Sequence, residues 1–315
     1  MWTPFKNLSR QGVLGINNRN ANYILKYNAR RNYPIVDDKL QTKKLAIKAG
    51  IPVPELYAVI EIERQIKSIH NLLKNFPAFV IKPSRGSGGN GIMVISGHFK
   101  DMYKNASGRL MHREVFNFHA SSILSGLYSL GGQTDKALIE YLVQPDPIFE
   151  SISYSGVPDI RIIVFFGIPV MSMVRLPTSL SDGKANLHQG AIGVGVNIAE
   201  GTTLSAVWKN SVITEHPDTG NPVTGIEIPY WYQLLSISSR CYELTKLGYQ
   251  GVDIILDKEK GPMILEINAR PGLNIQIANR SGLLSRLRTV ERHRHERYSV
   301  EDRIHFAMDH FGNAV

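Results

Sequence analysis

The chain has 315 residues, 43% of them apolar, and a formal net charge of +9. That length excludes both a lone small domain and an array of three large ones, which leaves one large domain with subdomains or two domains around an ordinary core. The charge favours anionic partners, whether nucleotides, acidic peptides, nucleic acid or an anionic surface, and selects none of them. A single cysteine, Cys241, excludes an intrachain disulfide and fits a reducing compartment. The opening MWTPFKNLSR lacks the apolar core of a signal peptide. The most apolar stretch, 162–174, contains Gly167 and Pro169 and is shorter than the roughly 20 residues that cross a bilayer. The expectation is a soluble, cytoplasmic protein with no transmembrane segment and an unspecified oligomeric state.

Residues 1–38 are polar, rich in Asn and Arg, and predicted helical in part until Pro34 interrupts. In 36–50, Asp37 or Asp38 caps a helix, Leu40, Leu45 and Ile47 form its inner side, and Gly50 ends it. An extended arm leads into a strand near 60, and a helix follows over about 63–73. AFVIKP is a short strand ending in Lys82, and the glycine-rich SRGSGGNG turns into a second strand. Residues 110–130 are predicted helical and ALIEYLV is a strand. DIRIIVFFGIPVMSMVRLP reads as two antiparallel strands turning at Gly167. Residues 182–225 suggest loops and short strands. A helix runs from about 231 to Gly248, and GVDIILD with PMILEINARPG forms a hairpin turning at KEKG. The last 30 residues are basic and predicted helical. Hairpins with helices between them favour α+β over a doubly wound sheet. Neither a GxxxxGK[ST] loop nor a strand–GxGxxG–helix fingerprint is present.

Four constellations carry chemistry. After Lys82 come Gly86, Gly88, Gly89 and Gly91, a loop whose N–H groups can approach phosphate oxygens without Cβ obstruction; a flexible hairpin loop is the plain alternative. Glu266 and Asn268 lie two apart on a strand and share a face that Asp253, on the preceding strand, can join. This makes a hard-oxygen site suited to Mg²⁺ with substrate phosphates, against the alternative of a solvated edge hairpin. Asp159, Arg161 and Arg175 are charges in or beside apolar strands, where an Arg needs a carboxylate or a phosphate partner; a pair of Asp159 with Arg161 and a bound phosphate both stay open. Lys184, Asn186 and His188 can reach phosphate or metal from a loop, or simply lie on its surface.

In this order, the strand ending in Lys82, the glycine hairpin, EYL, DIR, NLHQG and GVDII…LEINARPGL resemble the ATP-grasp superfamily, and within it the RimK-type and α-L-glutamate ligase-like proteins. The resemblance spans about 38–279. It implies an α+β ATP-grasp fold in which two α+β subdomains enclose ATP, with an N-terminal helical arm over 1–38, an ATP-grasp domain over 39–285 (lid about 78–143, core about 144–285) and a basic C-terminal helix over 286–315. It implies that Lys39 contacts nucleotide and that Lys82 holds the α and β phosphates. Ser87, Gly88, Gly89 and Gly91 would form the mobile phosphate cover. Glu140, Tyr141 and Val143 would form the adenosine hinge, and Asp159 and Arg161 would lie near nucleotide and substrate. Arg175, Lys184 and Asn186 would face the γ-phosphate, Arg270 would hold substrate, and Asp253, Glu266 and Asn268 would bind two Mg²⁺, with Mn²⁺ as the alternative ion.

The implied reaction joins a carboxylate to an amine of an amino acid, peptide or protein through an acyl phosphate, releasing ADP and phosphate. The alternatives are an ATP-grasp enzyme that stops at phosphorylation and, from another class, a basic nucleic-acid-binding protein. Acidic residues interrupt the basic tail, which disfavours the last. Two departures stand out. About 38 residues occupy the place of a complete leading domain, and the family's NLHRGG is NLHQGA here, with Gln189 and Ala191. The lost arginine weakens the implication of glutamate as substrate, and a longer 191–228 segment would shape a different acceptor site.

Overall fold

Alternation of apolar and polar residues in short segments, with glycine turns between, builds two antiparallel sheets in this computed structural model, which describes residues 11–86, 88–209, 211–293 and 298–312. Each sheet belongs to one of two compact units, one made of Asp37–Lys44 and Val53–Val143, the other of the remaining chain.

The first unit contains β1 (Leu56–Ile60), β2 (Phe79–Pro83), β3 (Met93–Phe99), β4 (Met102–Asn105), β5 (Leu110–Met111) and β6 (Ala137–Tyr141), ordered β1-β6-β2-β3-β4-β5. Phe79, Ile81, Ile95 and Ile139 point to one face and pack with Ile66 and Leu73 of the helix Arg64–Leu73 and with Phe116, Ala120 and Ile123 of the helix Arg113–Leu124. Phe79 meets both Tyr103 and Phe116 edge to face. Each such buried large apolar side chain contributes about 1.5–3 kcal/mol relative to exposure. The unit takes in β1 and the helix after it, so it begins well before position 78, where sequence reading starts the lid.

The helix Lys39–Lys48 is capped by Asp38, whose Oδ1 accepts the N–H groups of Leu40 (3.0 Å) and Gln41 (3.3 Å). Its inner side differs from the expected apolar one. Leu40, Lys43 and Ala46 are buried, whereas Leu45 is 37% and Ile47 58% exposed. The spacing 40, 43, 46 is helical, and Lys43 lies on the inner side in place of Leu45 and Ile47 because it pairs with the buried carboxylate of Glu140.

The second unit contains β7 (Asp159–Phe165), β8 (Ile168–Leu176), β9 (Ile192–Val196), β10 (Thr203–Trp208), β11 (Ser211–Ile213), β12 (Tyr249–Asp257) and β13 (Gly261–Asn268), ordered β11-β10-β9-β8-β7-β12-β13. The β7–β8 hairpin turns at Phe166 and Gly167, both at positive φ (50° and 79°), as a tight two-residue connection requires. The helix Trp231–Thr245 buries Leu234, Leu235 and Cys241. The N-terminal arm docks on this sheet: Tyr23 lies edge to face with Phe165 at 5.6 Å, and Asn28 exchanges hydrogen bonds with Tyr249, giving Nδ2–H to its carbonyl (2.7 Å) and accepting its N–H (2.9 Å). The basic end forms two helices, Leu283–His293 and Val300–Phe311, where one was expected. Ser299 starts the second with a capping box shared with Asp302. No helix among the described residues is long and apolar enough to cross a membrane.

Candidate functional site

In the first unit the chemistry gathers at the end of β2. Lys82 stands opposite Leu138 in the β2–β6 ladder, so Glu140, two residues along β6, is its diagonal neighbour on the same face. The Glu140 carboxylate is only 3% exposed; one oxygen pairs with Lys82 and the other with Lys43 at 2.9 Å. Lys43 also donates to the carbonyl of Pro54. Burial pushes the Glu140 pKa up, but the two ammonium groups outweigh it and hold the carboxyl below its usual value. Burial lowers the Lys43 pKa, with Glu140 opposing and Lys82 adding to the fall. Glu140, assigned by sequence to the adenosine hinge, is thus the counter-ion of two lysines. Lys43 was missed, although its i+4 relation to Lys39 and i+3 relation to Leu40 carried the signal. Tyr141 gives its N–H to the carbonyl of Glu55 (2.9 Å), and Val143 is buried at the end of the unit.

The glycine loop is anchored at both ends. Gly86 bridges to Ser129, and the carboxylate of Asp135 accepts the Arg85 N–H (2.9 Å) and the Ser129 hydroxyl (2.7 Å). At the far end His119 Nε2 meets the Gly91 carbonyl at 2.9 Å, and burial lowers the pKa of that histidine. Gly88, Gly89 and Gly91 all have positive φ, and a Cβ on Gly91 would lie 2.6 Å from Tyr128. Lys39 donates from Nζ to the Gly86 carbonyl and from its backbone to Ser84 (2.9 Å), which ties the start of the loop to the capped helix. Ser87 lies outside the described residues. Asp135 and His119 are supports of the loop that the sequence does not mark, because they lie far from it along the chain and in no local pattern.

In the second unit four strands, β7, β8, β12 and β13, carry five neighbouring charges. Asp159 stands opposite Arg175, and Asp253 stands opposite both Arg161 and Glu266. Arg175 grips Asp159 with two hydrogen bonds of 2.5 Å and reaches Asp253 at 2.8 Å. Arg161 grips Asp253 with bonds of 2.6 and 2.5 Å. The Asp159–Arg161 pair weighed from sequence is replaced by this crossed arrangement, because cross-strand neighbours are closer than residues two apart on one strand. Asn268 adds an amide N–H to Asp253 at 3.2 Å. Burial raises the pKa of both carboxylates; Asp253, held by two guanidinium groups, ends below its ordinary value, whereas Asp159, beside the Asp253 charge, is pushed up to about 6 despite Arg175. Burial would depress Arg175, but Asp159 and Asp253, with Glu266 behind them, raise it.

A bulge in the β12–β13 ladder shifts the register between Asp253 and Ile254 and leaves Leu265 partly exposed, which keeps Glu266 and Asn268 on the charged face. Asp253 therefore lacks room for a direct metal bond while both arginines hold it. The Asn268 amide oxygen accepts no hydrogen bond among the described residues, and the half-buried Glu266 stands on the same face two residues before it. One carboxylate and one amide oxygen fit Mg²⁺ carried in with phosphates, which takes few protein ligands, and no cluster of three His, Cys, Asp or Glu suited to a metal exists among the described residues.

The loop 177–190 holds the remaining candidates. Asn186 caps a short turn, its Oδ1 accepting the His188 N–H at 3.0 Å. Lys184 is half-buried and forms no ion pair among the described residues, and His188 is exposed. The Gly190 carbonyl accepts from Thr178 Oγ1 (2.9 Å) and Trp208 Nε1 (2.8 Å), which fixes the loop on β10. Arg270 is exposed and lies over the Tyr33 ring at 5.4 Å.

Comparison with known proteins follows this geometry. Among solved structures, the ATP-grasp ligase PsnB complexed with a minimal precursor is 14% identical, with 83% of this chain covered, 60% of that chain covered and a TM-score of 0.46. The D-alanine–D-alanine ligase of Bacillus anthracis is 15% identical, with 90% and 70% covered and a TM-score of 0.44. The biotin carboxylase domain of the Hydrogenobacter thermophilus 2-oxoglutarate carboxylase is 15% identical, with 86% and 49% covered and a TM-score of 0.45. The chain thus spans less than two thirds of PsnB. No curated protein matches the chain. The model of the sugar-transfer associated ATP-grasp family matches residues 18–292, and the chain, with its α+β ATP-grasp fold, belongs to that family.

Proposed function

We propose that the protein is an ATP-dependent carboxylate–amine ligase that forms an amide through an acyl phosphate and acts on an amino acid, peptide or protein, as the likeness to RimK-type ligases implies. The observation that carries this reading is the charged face of the second unit, where the Glu266 carboxylate and the Asn268 amide lie on one strand beside two guanidinium groups fixed by Asp159 and Asp253. Bound Mg²⁺ would supply charge neutralisation at the phosphates, held by Glu266 and Asn268, with Asp253 joining only if an arginine releases it.

The chain's own residues do the rest. Lys82 and Lys39 offer cations beside the glycine loop, and in this reading Lys82 turns from Glu140 to the α and β phosphates while Lys43 keeps Glu140 neutralised. Arg175, preset by Asp159 and Asp253, stabilises charge on the transferring group without reorganising. Lys184 and Asn186 add a cation and an amide from their loop, and Arg270 holds substrate. Gly88, Gly89 and Gly91 exclude water that would hydrolyse the acyl phosphate. No side-chain nucleophile is needed, since catalysis is positioning and electrostatics.

ATP turnover in K82A and E266A proteins tests the assignment. Loss of at least a hundredfold in each is expected, and wild-type rates in both would end the reading. An enzyme that stops at phosphorylation is separated by hydroxylamine, which yields a hydroxamate only from an acyl phosphate.

A further inference from the structure

Arg286 is one of several arginines of the second unit that the proposed chemistry does not use. Arg286, in the first turns of the helix Leu283–His293, donates from Nη1 to the Val170 carbonyl on β8 (2.8 Å) and lies over the Phe311 ring at 5.5 Å. Those contacts occupy one of its five N–H donors and one face. Arg161, Arg175 and Arg303 each reach a carboxylate at 2.5 Å, whereas Arg286 pairs with none among the described residues. Burial alone pushes its pKa down to about 10, and no neighbouring carboxylate pulls it back. It stays charged at neutral pH, so a partly buried cation stands without an anion, which is costly unless one is supplied.

The same arginine lines a small, solvent-open cleft together with Asn197, Asn279 and Ser281 over apolar Leu204 and Phe311. The polar lining is rich in donors. Asn197 uses its Oδ1 to accept the Ala199 N–H (2.9 Å), which leaves its Nδ2–H groups. The Ser281 hydroxyl makes no hydrogen bond among the described residues. Asn279 spends its Nδ2–H groups on the carbonyls of Ser172 (2.8 Å) and Ile275 (2.9 Å), so it presents an acceptor suited to a ligand hydroxyl. No carboxylate lines the cleft among the described residues. Val170 is five residues along β8 from Arg175, about 17 Å at the usual rise, so this place is separate from the charged face of β7, β8 and β12.

We propose that this cleft is a second binding site, for a small oxyanion such as the phosphate or carboxylate group of a metabolite, with Arg286 as its anchor and Asn197 and Ser281 as further donors. Equilibrium dialysis of the full chain against labelled inorganic phosphate and, separately, labelled succinate distinguishes the two sources. One equivalent bound, retained in K82A and weakened at least tenfold in R286M, is the expected result for whichever anion is the ligand. Should R286M fail to fold, R286K, which keeps the charge and loses the fork, and S281A are expected to weaken binding three- to tenfold. Unchanged affinity in R286M, or in both R286K and S281A, overturns the proposal, as does binding of neither anion or complete loss of binding in K82A. Because Lys82 belongs to the proposed nucleotide site, the K82A arm separates failure of this inference from failure of the ligase reading.

Discussion

Asp253 accepts four side-chain N–H groups from two arginines and an asparagine, and its removal shows what a buried charge depends on. D253N leaves Arg161 without an anion in a site that is almost closed to solvent, and a loss of about 3–5 kcal/mol in urea-monitored unfolding is expected. Glu140 gives a pH-dependent counterpart. Its carboxyl is held below the ordinary value of 4.5, so the folded state binds that proton less readily than the unfolded chain. The stabilisation is complete above about 4.5 and is lost as pH falls through the folded value. Unfolding free energies of wild type and E140Q, measured from pH 7 down to 3, should differ most at neutral pH and converge in acid; a constant gap would show that the ionised carboxylate is not the source. The sequence identified Lys82, Glu140, Asp253, Glu266 and Asn268 as chemically important, but the partners of each were not legible. Lys43 and Glu140 are 97 residues apart, and only the fold brings them to 2.9 Å.

The glycine loop and the helices show how local geometry carries function and stability. Gly91 combines positive φ with a Tyr128 ring 2.6 Å from where a Cβ would stand, so G91A must shift the loop or that ring. We expect at least a tenfold weaker nucleotide affinity in G91A by calorimetric titration, with far-UV circular dichroism unchanged. Ser299 and Asp302 form a capping box at the start of the helix Val300–Phe311, the Ser299 hydroxyl accepting the Asp302 N–H (3.1 Å), and that helix buries Ile304, Ala307 and Phe311. S299A should lower unfolding free energy by about 1 kcal/mol. The element boundaries read from sequence hold for the β7–β8 and β12–β13 hairpins because glycine marks both turns. They fail for the helix Lys39–Lys48, where Leu45 and Ile47 face outward and Lys43 inward. A helical wheel assigns apolar residues to the core by default, and a buried ion pair inverts that rule.

For the molecule as a whole, binding should be readable as stability. If one Mg-ADP engages the proposed groups, a nucleotide concentration a hundred times its Kd raises unfolding free energy by about 2.7 kcal/mol, and K82A abolishes that gain in a thermal-shift titration. Cys241, buried in the helix Trp231–Thr245 with its thiol pushed up by burial, should react with a thiol reagent only after denaturation. The sequence by itself determined the antiparallel α+β class, the hairpins and the order of the motifs, because periodicity and turn chemistry are local. The family is legible for the same reason, since motif order survives where overall identity is low. Only the tertiary structure decided the pairing of charges: that Arg161 belongs to Asp253 and Arg175 to Asp159, that Lys43 shares Glu140, and that Arg286 meets no carboxylate among the described residues. Ion pairing depends on distances between residues far apart in the chain, and strand register and helix orientation set those distances.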